Sequence, residues 1–375
     1  MAVSTVYPTR PLECWGKMKE LRRHLNRQAW EVREKGGVVV ASQDPPYPII
    51  AGLGGWARRL YGPYFATAMK DPELLVQYHE VADGRGFPRG EMCSSMHHYV
   101  GEMLLGLPTK NPRTGDTSPV DLVIDVEFCH SVAKTAQLAG ELLSVPCFVL
   151  DVPQESSEAA VKYTAARMHD AVDFLVKATG KEFRDEWLVE AVKNYWEQGA
   201  IIARICLANQ AVPAPLDFRM LHELRVPSVV AGHLPEVVSY VEEVLAEVED
   251  RVREGISATG VEAARLSYEG EPMFYAEDFV PGLARRYGAV IVAGFTAFTR
   301  GMWDISPDGQ WTPAPRFKEL GVELKDRQDA LEFLARCYVH HRPLHQCARL
   351  DQKPTEYLHR AQDWHCHGTI LHLDI

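Results

Sequence analysis

Apolar and polar positions along this chain alternate between two periods. Residues 12–35, LECWGKMKELRRHLNRQAWEVREK, place apolar side chains at helical spacing among strong helix formers. They predict a helix that Gly36-Gly37 breaks. GVVVAS (37–42) reads as a short buried strand ended by DPPYP. A helix is expected over 72–84, followed by the turn GRGFPRGE and a second helix in MCSSMHHYVGEMLLG, with Ser94 or Ser95 near its start. VDLVIDVEFC (120–129) reads as a buried strand ending on a cysteine, HSVAKTAQLAGELLS as a helix, and VPCFVLDVP (145–153) as a strand closed by proline. Strand, helix and strand in that succession indicate a parallel sheet with helices on both faces.

Residues 156–257 read differently, as helical patterns interrupted only by the proline-rich AVPAPLDF (211–218). From residue 260 the earlier alternation returns. VEAARLSYEG contains a strand, FYAEDFVPGLARRYG a helix and AVIVAGF (289–295) a strand. LKDRQDALEFLARCYVHH and TEYLHRAQDWH read as helices, and GTILHLDI (368–375) as a strand. The expected class is α/β: two doubly wound, Rossmann-like parallel-sheet domains with a helical segment between them. The divisions fall at 1–155, 156–257 and 258–375. A doubly wound domain usually continues past such a strand, so the last one is expected to be truncated at its C-terminus. The G-x-G-G in IIAGLGGWARRLYG is read as a plain turn, because the dinucleotide fingerprint needs G-x-G-x-x-G directly after a strand.

Charge and cysteine usage narrow the chemistry. The net charge of −11 leaves no general basic surface for nonspecific nucleic-acid binding. No apolar run approaches the roughly 20 residues that span a bilayer, and the N-terminus lacks the apolar core of a secretory signal. A cytoplasmic protein is expected, with neither nucleic acid nor membrane as partner. None of the 8 cysteines forms a C-x-x-C pair, so a metal centre would have to be assembled from distant segments. Cys129 is placed at the carboxyl end of a strand, where open α/β sheets bind ligands. Cys93 is placed at a helix start, where the helix dipole favours the thiolate that ligates metals. On residue type alone, burial as a small apolar side chain is the commoner fate of both.

Two segments carry a resemblance that alters this balance. DGRGFPRGEMCSSMHHYVGEMLLG has Gly-Phe-Pro ahead of a cysteine followed by serine. VDLVIDVEFCHSVAKTAQLAGELLSVPCFVLDVP has a strand delivering a cysteine, a lysine five residues on (Lys134) and a closing V-P-x-F-x-x-D-V-P strand. In these, and in RLSYEGEPMF, GAVIVAGF and YLHRAQDWHCHGTILHLDI, the chain resembles the benzoyl-CoA reductase/2-hydroxyacyl-CoA dehydratase family from about residue 10 to its end. The resemblance implies a [4Fe–4S] cluster held by three cysteines, with Cys93 and Cys129 as two of them and one iron left open. It implies a paralogous cluster-binding subunit and a separate ATP-hydrolysing iron–sulfur activator that injects a low-potential electron. It implies an acyl-CoA thioester as the acceptor, reduced to a ketyl radical anion. A dehydratase then expels a hydroxyl, and a benzoyl-CoA reductase reduces the ring. RPLECWGKMKELRR looks most like the larger, cluster-bearing subunit of a benzoyl-CoA reductase, and the expectation leans to that reaction, with the dehydratase and a non-catalytic structural subunit as alternatives.

The chain departs from the family pattern at the third ligand, which in relatives follows the last strand. Here the chain ends at Ile375 without a cysteine in that place. Cys366, before the strand, is a weak substitute, and Cys347 a weaker one. Where many relatives have arginine near residue 97 and an acid after the second cysteine, this chain has His97 and His130. Both are candidate proton donors to a reduced substrate. Ordinary surface or hydrogen-bonded roles compete with that for each, and for the histidines crowding the tail, where HCH is a poor zinc site.

Overall fold

A computed structural model describes residues 5–59, 71–106, 119–127, 129–270, 278–294, 298–341 and 352–372. It is a mixed α/β chain with two parallel sheets, in line with the expected class. Its contacts separate two compact units, one made of residues 25–191 with 324–335, the other of 1–24, 192–323 and 336–373. The helical stretch after residue 156 is thus shared between them. No helix among the described residues is long and apolar enough to cross a membrane.

The first unit holds a four-stranded sheet in the order β2-β1-β3-β4, formed by β1 (Val39–Ser42), β2 (Trp56–Arg59), β3 (Leu122–Glu127) and β4 (Cys147–Asp151). All three pairings are parallel. β1 is buried along its whole length and β3 over five of its six residues, as a strand covered on both faces requires. The order reverses at the β1/β3 boundary, so that boundary is the topological switch point, where α/β sheets open a crevice at their carboxyl edge. β2 was not foreseen. Its backbone runs on directly from the GLGG turn, whose glycines mask the short strand behind it.

Helices complete this unit. In chain order the first five are α1 (Cys14–Glu31), which enters this unit only from residue 25, α2 (Tyr47–Ala51), α3 (Pro72–Gly84), α4 (Ser94–Leu104) and α5 (His130–Leu143). Tyr99, Val100 and Met103 of α4 and Ala136 and Ala139 of α5 share one core with Val39, Ala41 and Val123 of the sheet. α6 (Glu158–Thr179) packs beside β4, with Ser157 as its N-cap and Gly180 closing it in a left-handed conformation.

In the second unit the parallel sheet has the order β6-β5-β9, built from β5 (Ala264–Glu269), β6 (Ala289–Gly294) and β9 (Gly368–Leu371). Between them in sequence lies an antiparallel hairpin, β7 (Trp303–Ile305) and β8 (Trp311–Pro313), which the sequence pattern did not reveal. Its Trp303 and Trp311 pack with Phe298, which also meets Trp364, in one aromatic cluster. The remaining helices follow the expected stretches. They are α7 (Asp185–Ala208, begun in the first unit), α8 (Phe218–Leu224), α9 (Val226–Ala231), α10 (Pro235–Glu254), α11 (Phe279–Tyr287), α12 (Arg327–Arg336) and α13 (Lys353–Asp363). α12 passes into a π-helical turn, Cys337–His341.

The N-terminal segment belongs to the second unit and is docked on α10. Glu247 accepts the backbone N–H groups of Glu13 (2.7 Å) and Cys14 (2.8 Å), satisfying two of the donors that a helix start leaves open. Lys17 pairs with Glu243 at 2.5 Å and Arg10 with Glu254 at 2.7 Å. Burial, with the Glu247 carboxylate behind it, raises the Cys14 thiol far above its ordinary range, so it is a neutral core side chain. Within RPLECWGKMKELRR, Arg10, Glu13, Cys14 and Lys17 thus make contacts that dock the segment on α10.

Candidate functional site

Cys93 and Cys129 occupy equivalent positions. Each is the N-cap of a helix with extended backbone, Cys93 at φ −63°, ψ 153° before α4 and Cys129 at φ −160°, ψ 161° before α5. Neither thiol accepts a capping hydrogen bond from its helix, and both are half-buried. The two helices pack against each other over the first sheet. Cys129 stands two residues beyond the strand it was expected to end, since β3 ends at Glu127, and Phe128 lies outside the described residues. The open N–H groups and positive end of a helix favour a thiolate at each place.

The approach to Cys93 is a turn between α3 and α4. Gly86 and Gly90 adopt φ of +88° and +90°, a region that side chains disfavour. The two helices meet at Gly101, where a Cβ would lie 2.2 Å from the Tyr78 carbonyl oxygen. His97 faces this turn and is 1% exposed. Its Nε2 lies 2.7 Å from the Phe87 carbonyl oxygen and 3.1 Å from Asp83 Oδ1, and its Nδ1 lies 2.6 Å from Nδ1 of His79. Asp83 turns its other oxygen to Arg89, 2.9 Å away. Burial, followed by the neighbouring imidazoles of His97 and His98, lowers His79 to about 4. Beside it, His98 and Glu102 form a fully buried pair at 3.1 Å, and burial raises the Glu102 carboxyl. The sequence named His97 as a proton donor. Its ring is enclosed between α3 and α4 with both nitrogens engaged.

At the sheet's switch point, Asp125 of β3 is wholly buried. It accepts hydrogen bonds from the backbone N–H groups of Gln43 and Asp44, both at 2.7 Å, and from the Ser42 hydroxyl at 3.1 Å. Burial pushes its pKa up to about 7 against the opposing pull of those amides. Asp125 thus ties the carboxyl ends of β1 and β3 together four residues before Cys129. Sequence reasoning passed over it as one residue of an apolar strand. An acid inside such a run was the available signal. His130 is the opposite case, with a side chain 89% exposed and Nδ1 3.2 Å from Oε1 of the partly buried Glu127, so this pair straddles Cys129. Lys134 lies on the exposed side of α5.

Cys366 belongs to the second unit and sits in the turn before β9, at the amino end of that parallel strand. Its amide donates to the Ala361 carbonyl at 2.7 Å, and burial raises its thiol to about 11. Cys347 lies outside the described residues, as do residues 373–375 at the end of the last predicted strand and residues 271–277 and Phe295 of the neighbouring segments. In the tail, His367 accepts the Arg265 amide at 2.9 Å and His341 pairs with Asp304 at 2.9 Å. Among the described residues no three histidine, cysteine, aspartate or glutamate side chains converge as a metal ion would need. Among the described residues, Cys93 and Cys129 are the cysteines that cap helices of the first unit, and thiolates are the donors that iron–sulfur centres use.

Residues 77–373 match the family described as 2-hydroxyglutaryl-CoA dehydratase, D-component. The chain belongs to this family. Among its relatives is the alpha subunit of (R)-2-hydroxyglutaryl-CoA dehydratase from Acidaminococcus fermentans, 26% identical over 150 residues, which are 39% of this chain and 31% of that one. Another is the (R)-phenyllactyl-CoA dehydratase alpha subunit of Clostridium sporogenes, 23% identical over 260 residues, 68% of this chain and 62% of that one. The aligned stretches thus span about a third and three fifths of the two relatives' lengths. Both cysteine turns fall inside the family match, and the RPLECWGKMKELRR segment falls outside it.

Proposed function

We propose that this chain is a subunit of a 2-hydroxyacyl-CoA dehydratase, which removes water from a 2-hydroxyacyl thioester to give the enoyl thioester. The observation that carries the reading is the pair of helix-capping cysteines, Cys129 beyond the carboxyl end of β3 and Cys93 at the start of the helix packed against α5, within the span matched by a dehydratase family. Cys93 and Cys129 hold a [4Fe–4S] cluster, and a paralogous cluster-binding subunit is the partner. When bound, the cluster supplies a low-potential electron, received from an ATP-hydrolysing activator, and an open iron. The chain's own residues do the rest. The two helix N-termini keep the thiols ionised, Asp125 holds the crevice edge, and His130, exposed beside Cys129, is the candidate proton carrier.

The family description and the names of the relatives support the dehydratase over the benzoyl-CoA reductase toward which the N-terminal segment leans, and that segment falls outside the family match. The test is anaerobic purification together with a paralogous partner subunit, addition of the activator, ATP and a strong reductant, and parallel assays of 2-hydroxyacyl-CoA and benzoyl-CoA. Enoyl-CoA formation is expected. Turnover of benzoyl-CoA alone would transfer the chain to the reductases. Activity and iron unchanged by serine at both 93 and 129 would leave it a structural subunit.

A further inference from the structure

His97 was named from the sequence as a proton donor, and the fold gives it other work. A carbonyl oxygen only accepts, so the 2.7 Å contact with Phe87 requires that His97 Nε2 carry a hydrogen and donate it. The Nδ1–Nδ1 approach of 2.6 Å to His79 requires one proton between the two rings, which lie stacked at 17°. With Nε2 protonated and Nδ1 shared, the ring has no nitrogen left to offer a substrate. It does have a firm grip on the turn. Phe87 N donates to the Ala82 carbonyl at 3.1 Å, so residue 87 is fastened to α3 by its amide and to α4, through His97, by its carbonyl. Six residues later the chain reaches Cys93.

We propose that His97 is a positioning residue, which together with His79 and Asp83 fixes the turn at residues 85–92 and thereby the place of the Cys93 thiol at the start of α4. This rests on reading Cys93 as a functional thiol. His79 orients the ring by occupying Nδ1. Asp83 spans the turn, one oxygen on His97 and the other on Arg89. The side-chain pair described beside Cys129 is of another kind, joining an exposed His130 to a partly buried Glu127.

The experiment measures alkylation rates of Cys93 and Cys129 in the full chain, stripped of iron by a chelator, with isotope-coded iodoacetamide and peptide mass spectrometry. Cys129 is the internal control in every sample. His97→Leu, which cannot donate to Phe87, should raise the Cys93 rate about tenfold and change Cys129 less than about twofold. His97→Gln places an amide nitrogen near the former Nε2 and should return Cys93 to within about threefold of the parent. Equal acceleration at both cysteines, no change at Cys93, or failure of glutamine to rescue would overturn the assignment. Iron retention by the parent chain is measured in parallel. A rescued, selective effect at Cys93 in a parent that holds no iron would leave the positioning role standing and remove the cluster reading.

Discussion

The turn that delivers Cys93 and the turn that delivers Cys129 end alike, in a cysteine capping a helix, and are held in opposite ways. Behind Cys93 stands a set of imidazoles and carboxylates, with His97, His98 and Glu102 buried, His79 half-buried and Asp83 exposed, where two helices approach closely. Cys129 follows the carboxyl end of a central strand whose edge is held by Asp125, with the pair of exposed His130 and partly buried Glu127 at its side. A strand inherits its position from its ladder. A loop between helices has no ladder and needs side chains to define it. The difference teaches where sequence tolerance should lie. Side-chain substitutions will move Cys93 more readily than Cys129, unless they strike Asp125.

The largest expected effect erases the comparison. Serine at either Cys93 or Cys129 should abolish retention of iron after anaerobic reconstitution, read as iron per chain and as visible charge-transfer absorbance. Loss at one position only would make the two turns functionally unequal. Next comes Asp125→Ala, which strips three buried donors of their acceptor and should cost about 3 kcal/mol or more in urea unfolding. A cost below about 1 kcal/mol would mean that the sheet edge does not depend on this carboxylate. Gly101→Ala drives a methyl into the Tyr78 carbonyl and should cost about 2–3 kcal/mol while raising Cys93 alkylation ahead of Cys129.

A smaller, pH-dependent effect follows from Asp125. Its folded pKa of about 7 stands above the ordinary 3.8, so between those values the folded state holds a proton that the unfolded state has lost. The stability it contributes is present below about pH 4 and is lost as pH rises through about 7. Melting temperatures of Asp125→Asn and the parent, measured from pH 5 to 8, should show a shallower decline in the variant. Parallel curves would show that the carboxyl ionises as readily folded as unfolded. Least of all should be His130→Ala, whose exposed pair with Glu127 ought to shift the melting temperature by less than about 2 °C. Its dehydratase rate is the informative measurement, since a drop with unchanged stability would support a proton-carrying role.

Much of this was legible in the chain. The periods of apolar residues gave every strand of the first sheet except β2, and nearly all the long helices, because buried strands and amphipathic helices write their environment into residue order. Strand order was not legible, since nothing local in β1 says that β2 and β3 flank it. The short strands Trp56–Arg59, Trp303–Ile305 and Trp311–Pro313 escaped because, unlike the equally short VVAS and GTIL, they mix apolar with charged, polar or proline residues and form no apolar run. Cys93 and Cys129 were found by their motifs and by their places at the ends of elements. Asp125 and the His79–His97 contact were not found, for their partners lie 18 to 83 residues away.

By itself, then, the sequence determined the α/β alternation, the helix starts at which both cysteines stand and the family to which the chain belongs. Those properties are local, set by propensity, patterning and capping. Only the tertiary structure decided that the sheet reverses between β1 and β3, that a buried acid ties that reversal together, and that His97 grips a turn. Each of these depends on a hydrogen bond or a ladder between residues far apart in the chain, and such pairings exist only after the backbone has brought them within 3 Å.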